Sequence, residues 1–109
     1  MRPSEPARLL RIYISESDRY EGAPLHEAIV AKCRELKIAG ASVFAGLEGY
    51  GETAELHRSH LMHSDCPIVI VIVDRPEKIS ALVPEIESML NTALIATSDV
   101  EMLRIEKTA

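Results

Sequence analysis

Apolar positions along this chain change rhythm repeatedly, and each change marks an element. The stretch LLRIYIS predicts a strand from about Leu9 to Ser15, with a loose tail over residues 1–8 before it and the loop ESDRYEGAP after it. Pro24 suits a helical first turn, and Leu25, Ala28, Ile29, Cys33 and Leu36 then recur on one helical face. The helix yields near Ile38-Ala39-Gly40, and ASVFAGL reads as a second strand running into the glycine-rich GLEGYG. From Ile68 to Val73 every residue is β-branched, which makes IVIVIV the strongest strand signal in the sequence. Asp74 reads as the N-cap of a second helix, with Glu77 completing a capping-box pattern and Pro76 in the first turn. Ile79, Leu82, Val83, Ile86, Met89 and Leu90 give that helix a buried stripe. The apolar piece ALIAT and a final strand over roughly Val100 to Ile105 complete the chain.

The resulting order, β-α-β-β-α-β, predicts an α+β fold: a ferredoxin-like sandwich over residues 9–109, with two helices on one face of an antiparallel sheet. Such a sheet should alternate apolar and polar residues, yet Ile68 to Val73 is apolar on both faces. Burying three outward residues of this strand at about 2 kcal/mol each would gain roughly 6 kcal/mol, enough to help fix an oligomer. The pattern therefore predicts a homo-oligomer with sheet faces packed together, and a cyclic homotrimer is a natural closed solution.

Composition narrows the functions open to this fold. The 109 residues suit one domain, 47% of them apolar but only 4% aromatic, so the core is aliphatic and few rings are available to stack bases. The net charge of -5 and the pI near 5.3 supply no global attraction for nucleic acid or an anionic membrane. Arg2, Glu5, Arg8 and Arg11 interrupt the N-terminal region, so no signal peptide or inserted span is expected and the predicted location is cytoplasmic. In that compartment Cys33 and Cys66 read as free thiols.

Several motifs together resemble the DUF190 family, whose members have a PII-like trimeric fold. They are ESD with Glu16 and Asp18; G-x-P-L with Gly22, Pro24 and Leu25; Ala39, Gly40 and Gly46; G-Y-G at Gly49 to Gly51; H-R-S at His57 to Ser59; and the strand ending at Asp74. The resemblance spans nearly everything from Leu9 to Ile105 and implies a ligand-sensing trimer. In PII-like proteins small molecules, often adenine nucleotides, bind in clefts between subunits at the base of the long loop between the second and third strands. That loop then engages a partner, commonly a transporter or an enzyme. The chain departs from the family pattern at Ala45, where a basic residue is usual, and at Ser15, where a glycine is usual. The stretch NTALIATS, Asn91 to Ser98, also lacks the glycine- and lysine-bearing turn that grips triphosphate in true PII proteins. A monophosphate such as AMP, or a different effector, fits these departures better than ATP.

The residues themselves offer a site in the same region. Gly46, Gly49 and Gly51 accept positive φ and so permit an anion-binding nest of backbone N–H groups, or equally a twist of the strand into the loop. Arg19 and Arg58 are the cationic candidates, and Glu48, Glu52 and Glu55 disfavour a multiply charged anion. Glu16 and Asp18 could accept hydrogen bonds from a ribose or amine, or could cap the turn before the first helix. His57 matches a family position and reads as a structural or ligand-contacting residue. A spacing of three cannot bring His57, His60, His63 and Cys66 together on one regular element, so an intrachain tetrahedral metal site is not expected. A trimer axis gathering one histidine from each copy is the alternative, a metal-binding or metal-responsive protein using His57, His60 or His63. No nucleophile elbow, Walker loop, dinucleotide fingerprint or metal-protease pair is present, so the chain is not expected to be an enzyme. A nucleotide hydrolase acting in the same cleft stands third. The segment from Gly46 to Cys66 is too long for an ordinary hairpin link, and predicts either paired arms or a loop with a task.

Overall fold

The strand IVIVIV resolves into two rows that face in opposite directions. In the computed structural model, which describes residues 3–50, 56–58 and 65–107, this strand is β7, Pro67–Asp74. Ile68, Ile70, Ile72 and Asp74 point inward and are buried, while Val69, Val71 and Val73 on the other face are only half covered. The period-two pleat forces this division. β7 pairs antiparallel with β1, Ser4–Ser15, and with β4, Ala41–Ala45; β1 also pairs with β8, Leu94–Leu103. The sheet order is β4-β7-β1-β8.

Two helices cover one face. α1, Leu25–Glu35, buries Leu25, Ile29 and Cys33; α2, Pro76–Glu87, buries Ile79, Leu82 and Ile86. They press on Leu10, Ile12, Ile14, Ile68, Ile70 and Ile72, so the core is aliphatic, as the composition requires. Burial pushes the Cys33 thiol up to about 11, the behaviour of a small core hydrophobe. No helix among the described residues is long and apolar enough to cross a membrane.

Three expectations are corrected. β1 begins at Ser4 and not near Leu9, so much of the predicted tail is strand, and Ala7 is buried. Ser4 to Ala7 pair with β8 alone, and Pro6 therefore falls at an edge position, where its missing donor is tolerated. Likewise ALIAT is not a separate piece: all of it but Ala93 lies within β8, which ends at Leu103. Asp74 is not an N-cap: Arg75 holds that position with no side-chain cap. Instead the Asp74 carboxylate accepts the N–H of Arg75 at 2.7 Å and the N–H of Ala39 at 2.8 Å, tying the α1–β4 connection to the end of β7.

The end of α1 is also completed from a distance. Lys37 takes the left-handed conformation at φ 57°, and Ile38 N–H donates to the Cys33 carbonyl at 2.9 Å, a Schellman-type closure. The Lys78 ammonium on α2 donates to the Leu36 carbonyl at 2.9 Å, placing a cation at the negative end of α1.

Register puts Leu9, Arg11, Tyr13, Ser42, Phe44, Val69, Val71, Val73, Leu94, Ala96, Val100 and Met102 on the uncovered face. Near the C-terminal end of β1 a row crosses all four strands as Phe44, Val69, Tyr13 and Leu94. Phe44 is 54% exposed, Tyr13 43% and Leu94 49%, so this edge-to-edge row is apolar and lacks a cover within the described chain.

Candidate functional site

The row ends beside a junction of three strands. Ser15, the last residue of β1, lies opposite Pro67, the first of β7, and Gly46, just after β4, donates its N–H to the Pro67 carbonyl at 2.7 Å. A Cβ on Gly46 would sit 3.0 Å from Pro67 Cγ, so close approach explains the glycine here. Its φ lies outside the left-handed region and its N–H is already used, so Gly46 contributes no donor to an anion nest. The ladder continues one step past β1, with Glu16 N–H donating to the Cys66 carbonyl at 2.8 Å.

The chain then turns tightly. Asp18 N–H donates to the Ser15 carbonyl at 3.1 Å, while the Asp18 carboxylate accepts the Ser15 N–H at 2.9 Å. Of the two roles open to Asp18, this arrangement is the turn-capping one. The Glu16 carboxylate is half-exposed and has no hydrogen bond to another described residue. Asp65 closes the site from the other side: its Oδ1 accepts Ser17 Oγ at 3.0 Å and also the Ser15 hydroxyl.

Arg19 starts a feature absent from the sequence reading. β2, Arg19–Tyr20, pairs with β3, Ala23–Pro24, around Glu21 at φ 50° and Gly22 at φ 84°. Positive φ at both central residues is the signature of a type I′ turn, for which Glu-Gly is a legible if weak signal. Arg19 is exposed on this hairpin, and Tyr20 packs against the core.

The segment after Gly46 is partly paired. β5, Glu48–Tyr50, runs antiparallel to β6, Leu56–Arg58, with Gly49 opposite His57 and Glu48 opposite Arg58. This is the paired-arm form of the two alternatives, and it brings Gly49, His57 and Arg58 onto one ribbon. Gly51, His60 and His63 lie outside the described residues. Among the described residues no group of three or more His, Cys, Asp and Glu side chains could hold a metal ion. Ser17 and Asp65 were not foreseen as parts of the site. Their only signal was position, beside the Ser15–Asp18 turn and just before the strand that starts at Pro67.

Comparison with known proteins adds family and fold. The sequence profile of DUF190, described as an uncharacterized ACR family, matches residues 7–102. The chain belongs to the DUF190 family. Among its curated relatives, a UPF0166 protein of Aquifex aeolicus is 37% identical over 98 residues, covering 88% of this chain and 92% of that protein. Another, from Methanocaldococcus jannaschii, is 32% identical over 103 residues, covering 92% and 94%. Among solved structures, the DUF190 chain resembles CPII, a nitrogen regulatory PII-like protein of Thiomonas intermedia bound to ADP, AMP and bicarbonate. The TM-score is 0.70 at 18% identity, covering 95% of this chain and 94% of that one. It also resembles the divalent ion tolerance protein CutA1 of Ehrlichia chaffeensis, with a TM-score of 0.61 at 18% identity and coverage of 86% and 80%. The expected PII-like, ferredoxin-like fold is thus borne out.

Proposed function

We propose that this DUF190 protein is a cytoplasmic PII-like regulator that assembles as a homotrimer and binds an adenine mononucleotide in the clefts between subunits. The site lies beside the junction of Ser15–Asp18, Gly46 and Asp65–Pro67. Segment 46–66 passes the binding state to a partner, a transporter or an enzyme. The observation that carries this reading is the uncovered row of Phe44, Val69, Tyr13 and Leu94, which ends beside that junction. A second copy covering the row brings its own surface to the junction and makes a seam there.

Support for the ligand class comes from the adenine nucleotides carried by CPII. The half-exposed Glu16 carboxylate, which has no hydrogen bond to another described residue, accepts a ribose hydroxyl or an adenine amine; Arg19 and Arg58 supply charge for one phosphate. Backbone donors for that phosphate come from Gly49 and Gly51, since the N–H of Gly46 is committed. Asp18 holds the turn that presents Glu16. His57, whose backbone pairs across from Gly49, is the proposed ligand-contacting residue of the ribbon. No chemical step is assigned to the site.

Sedimentation at micromolar concentration and calorimetry with AMP, ADP and ATP test the reading. Three-chain assembly and tighter binding of AMP than ATP are expected. A well-folded single-chain species that takes up no nucleotide overturns it. Stabilisation by zinc or nickel alone, lost in His57→Ala, would assign the trimer to metal binding, and turnover of bound nucleotide would make it a hydrolase.

A further inference from the structure

We infer that Asp65 is the positioning residue that carries a change at the Ser15–Asp18 turn into the return end of the β4–β7 connection; the inference rests on the effector reading above. One carboxylate oxygen accepts the hydroxyls of the first and third residues of the turn, Ser15 and Ser17, whose oxygens lie 3.3 Å apart. The adjacent residue, Cys66, receives the N–H of the second, Glu16. Turn and return end are therefore joined residue by residue. The outgoing end is held through backbone alone: Gly46, which has no side chain, bonds to the Pro67 carbonyl, and the Pro67 ring occupies the space a Cβ would need.

That difference decides which end responds. Gly46 cannot move without shifting the start of β7, whose ladder to β1 is continuous from Pro67 to Asp74. The Asp65 clasp is half-buried, Ser17 is exposed, and hydroxyl–carboxylate bonds can be exchanged for bonds to water or to a ligand hydroxyl without breaking any strand pairing. Glu16 lies between Ser15 and Ser17 in the sequence, so a ligand that contacts it bears on the turn the clasp holds. It shifts the Ser17 hydroxyl, and Asp65 then follows.

Amide hydrogen exchange on the assembled full-length protein tests this in two arms. Without ligand, Asp65→Ala should speed exchange of the Glu16 amide by about tenfold or more, and Ser17→Ala should do so by a smaller factor. With saturating AMP, wild-type protein should show altered exchange at Leu56 to Arg58, and Ser17→Ala, with AMP raised until calorimetry shows it saturated, should lose most of that alteration. An unchanged Glu16 amide in Asp65→Ala overturns the clasp, and a full AMP response at 56–58 in Ser17→Ala overturns the coupling. If the wild type binds no AMP, the effector reading and the coupling both fail, and the ligand-free arm alone still decides whether the clasp holds the turn.

Discussion

The two faces of β7 are built from nearly the same side chains and live in different surroundings. Ile68, Ile70 and Ile72 are 5% exposed or less beneath two helices, while Val69, Val71 and Val73, one residue out of phase, lie in a sheet face whose larger residues stand open. Hydrophobicity alone therefore does not identify the core. What separates the rows is which one the chain's own helices reach; the second row is the surface that the proposed assembly would cover.

Substitutions can be ranked by how hard they press on this contrast. Ile70→Ala, at a site with no exposure, should cost about 3–4 kcal/mol in chemical denaturation and lower the midpoint without altering the uncovered face. Val71→Asp should do the reverse, weakening self-association by about a hundredfold, roughly 3 kcal/mol, in sedimentation while circular dichroism stays native. Equal effects of the two on folding would erase the distinction between the faces. Asp74→Ala lies in the covered row but removes polar contacts, leaving the Ala39 and Arg75 amides without their partner, and should cost about 1–3 kcal/mol in the same denaturation assay.

Cys33 offers a pH test of the covered side. Its thiol is raised by burial from 9.0 to about 11 in the folded chain, so the folded state holds its proton longer than the unfolded state does. This contribution is complete below pH 9 and is lost as pH rises towards 11, by about 2 kcal/mol, a loss that Cys33→Ala should abolish. Lys37→Gly touches neither face and serves as the baseline. Relief of the left-handed strain at φ 57° should stabilise the fold by about 0.5–1 kcal/mol with assembly unchanged.

Periodic signals were readable before the structure, and long-range ones were not. The helical stripes of Leu25, Ile29 and Cys33 and of Ile79, Leu82 and Ile86 obey a local repeat, so their elements and buried faces were legible. Asp74 shows the limit: a carboxylate before Pro76 imitates a cap, and only the fold brings Ala39, 35 positions away, to claim it. The start of β1 was hidden because proline reads as a strand breaker unless one knows that Pro6 has a neighbour on one side only. At the candidate site, the glycines drew attention as sources of positive φ, whereas Gly46 is small because Pro67 crowds it. The Asp65 contacts to Ser15 and Ser17 join residues about fifty positions apart, and no spacing rule encodes them.

The finishing of α1 by Lys78 has a consequence for how the chain acquires its shape. A carbonyl at residue 36 waits for an ammonium 42 positions later, and the sheet interleaves β1 between β7 and β8, so neither half of the polypeptide is self-sufficient. Fragments corresponding to residues 1–50 and 56–109 should each remain unstructured alone and regain the native spectrum on mixing, because the strands that knit them supply the continuity that the severed backbone no longer provides.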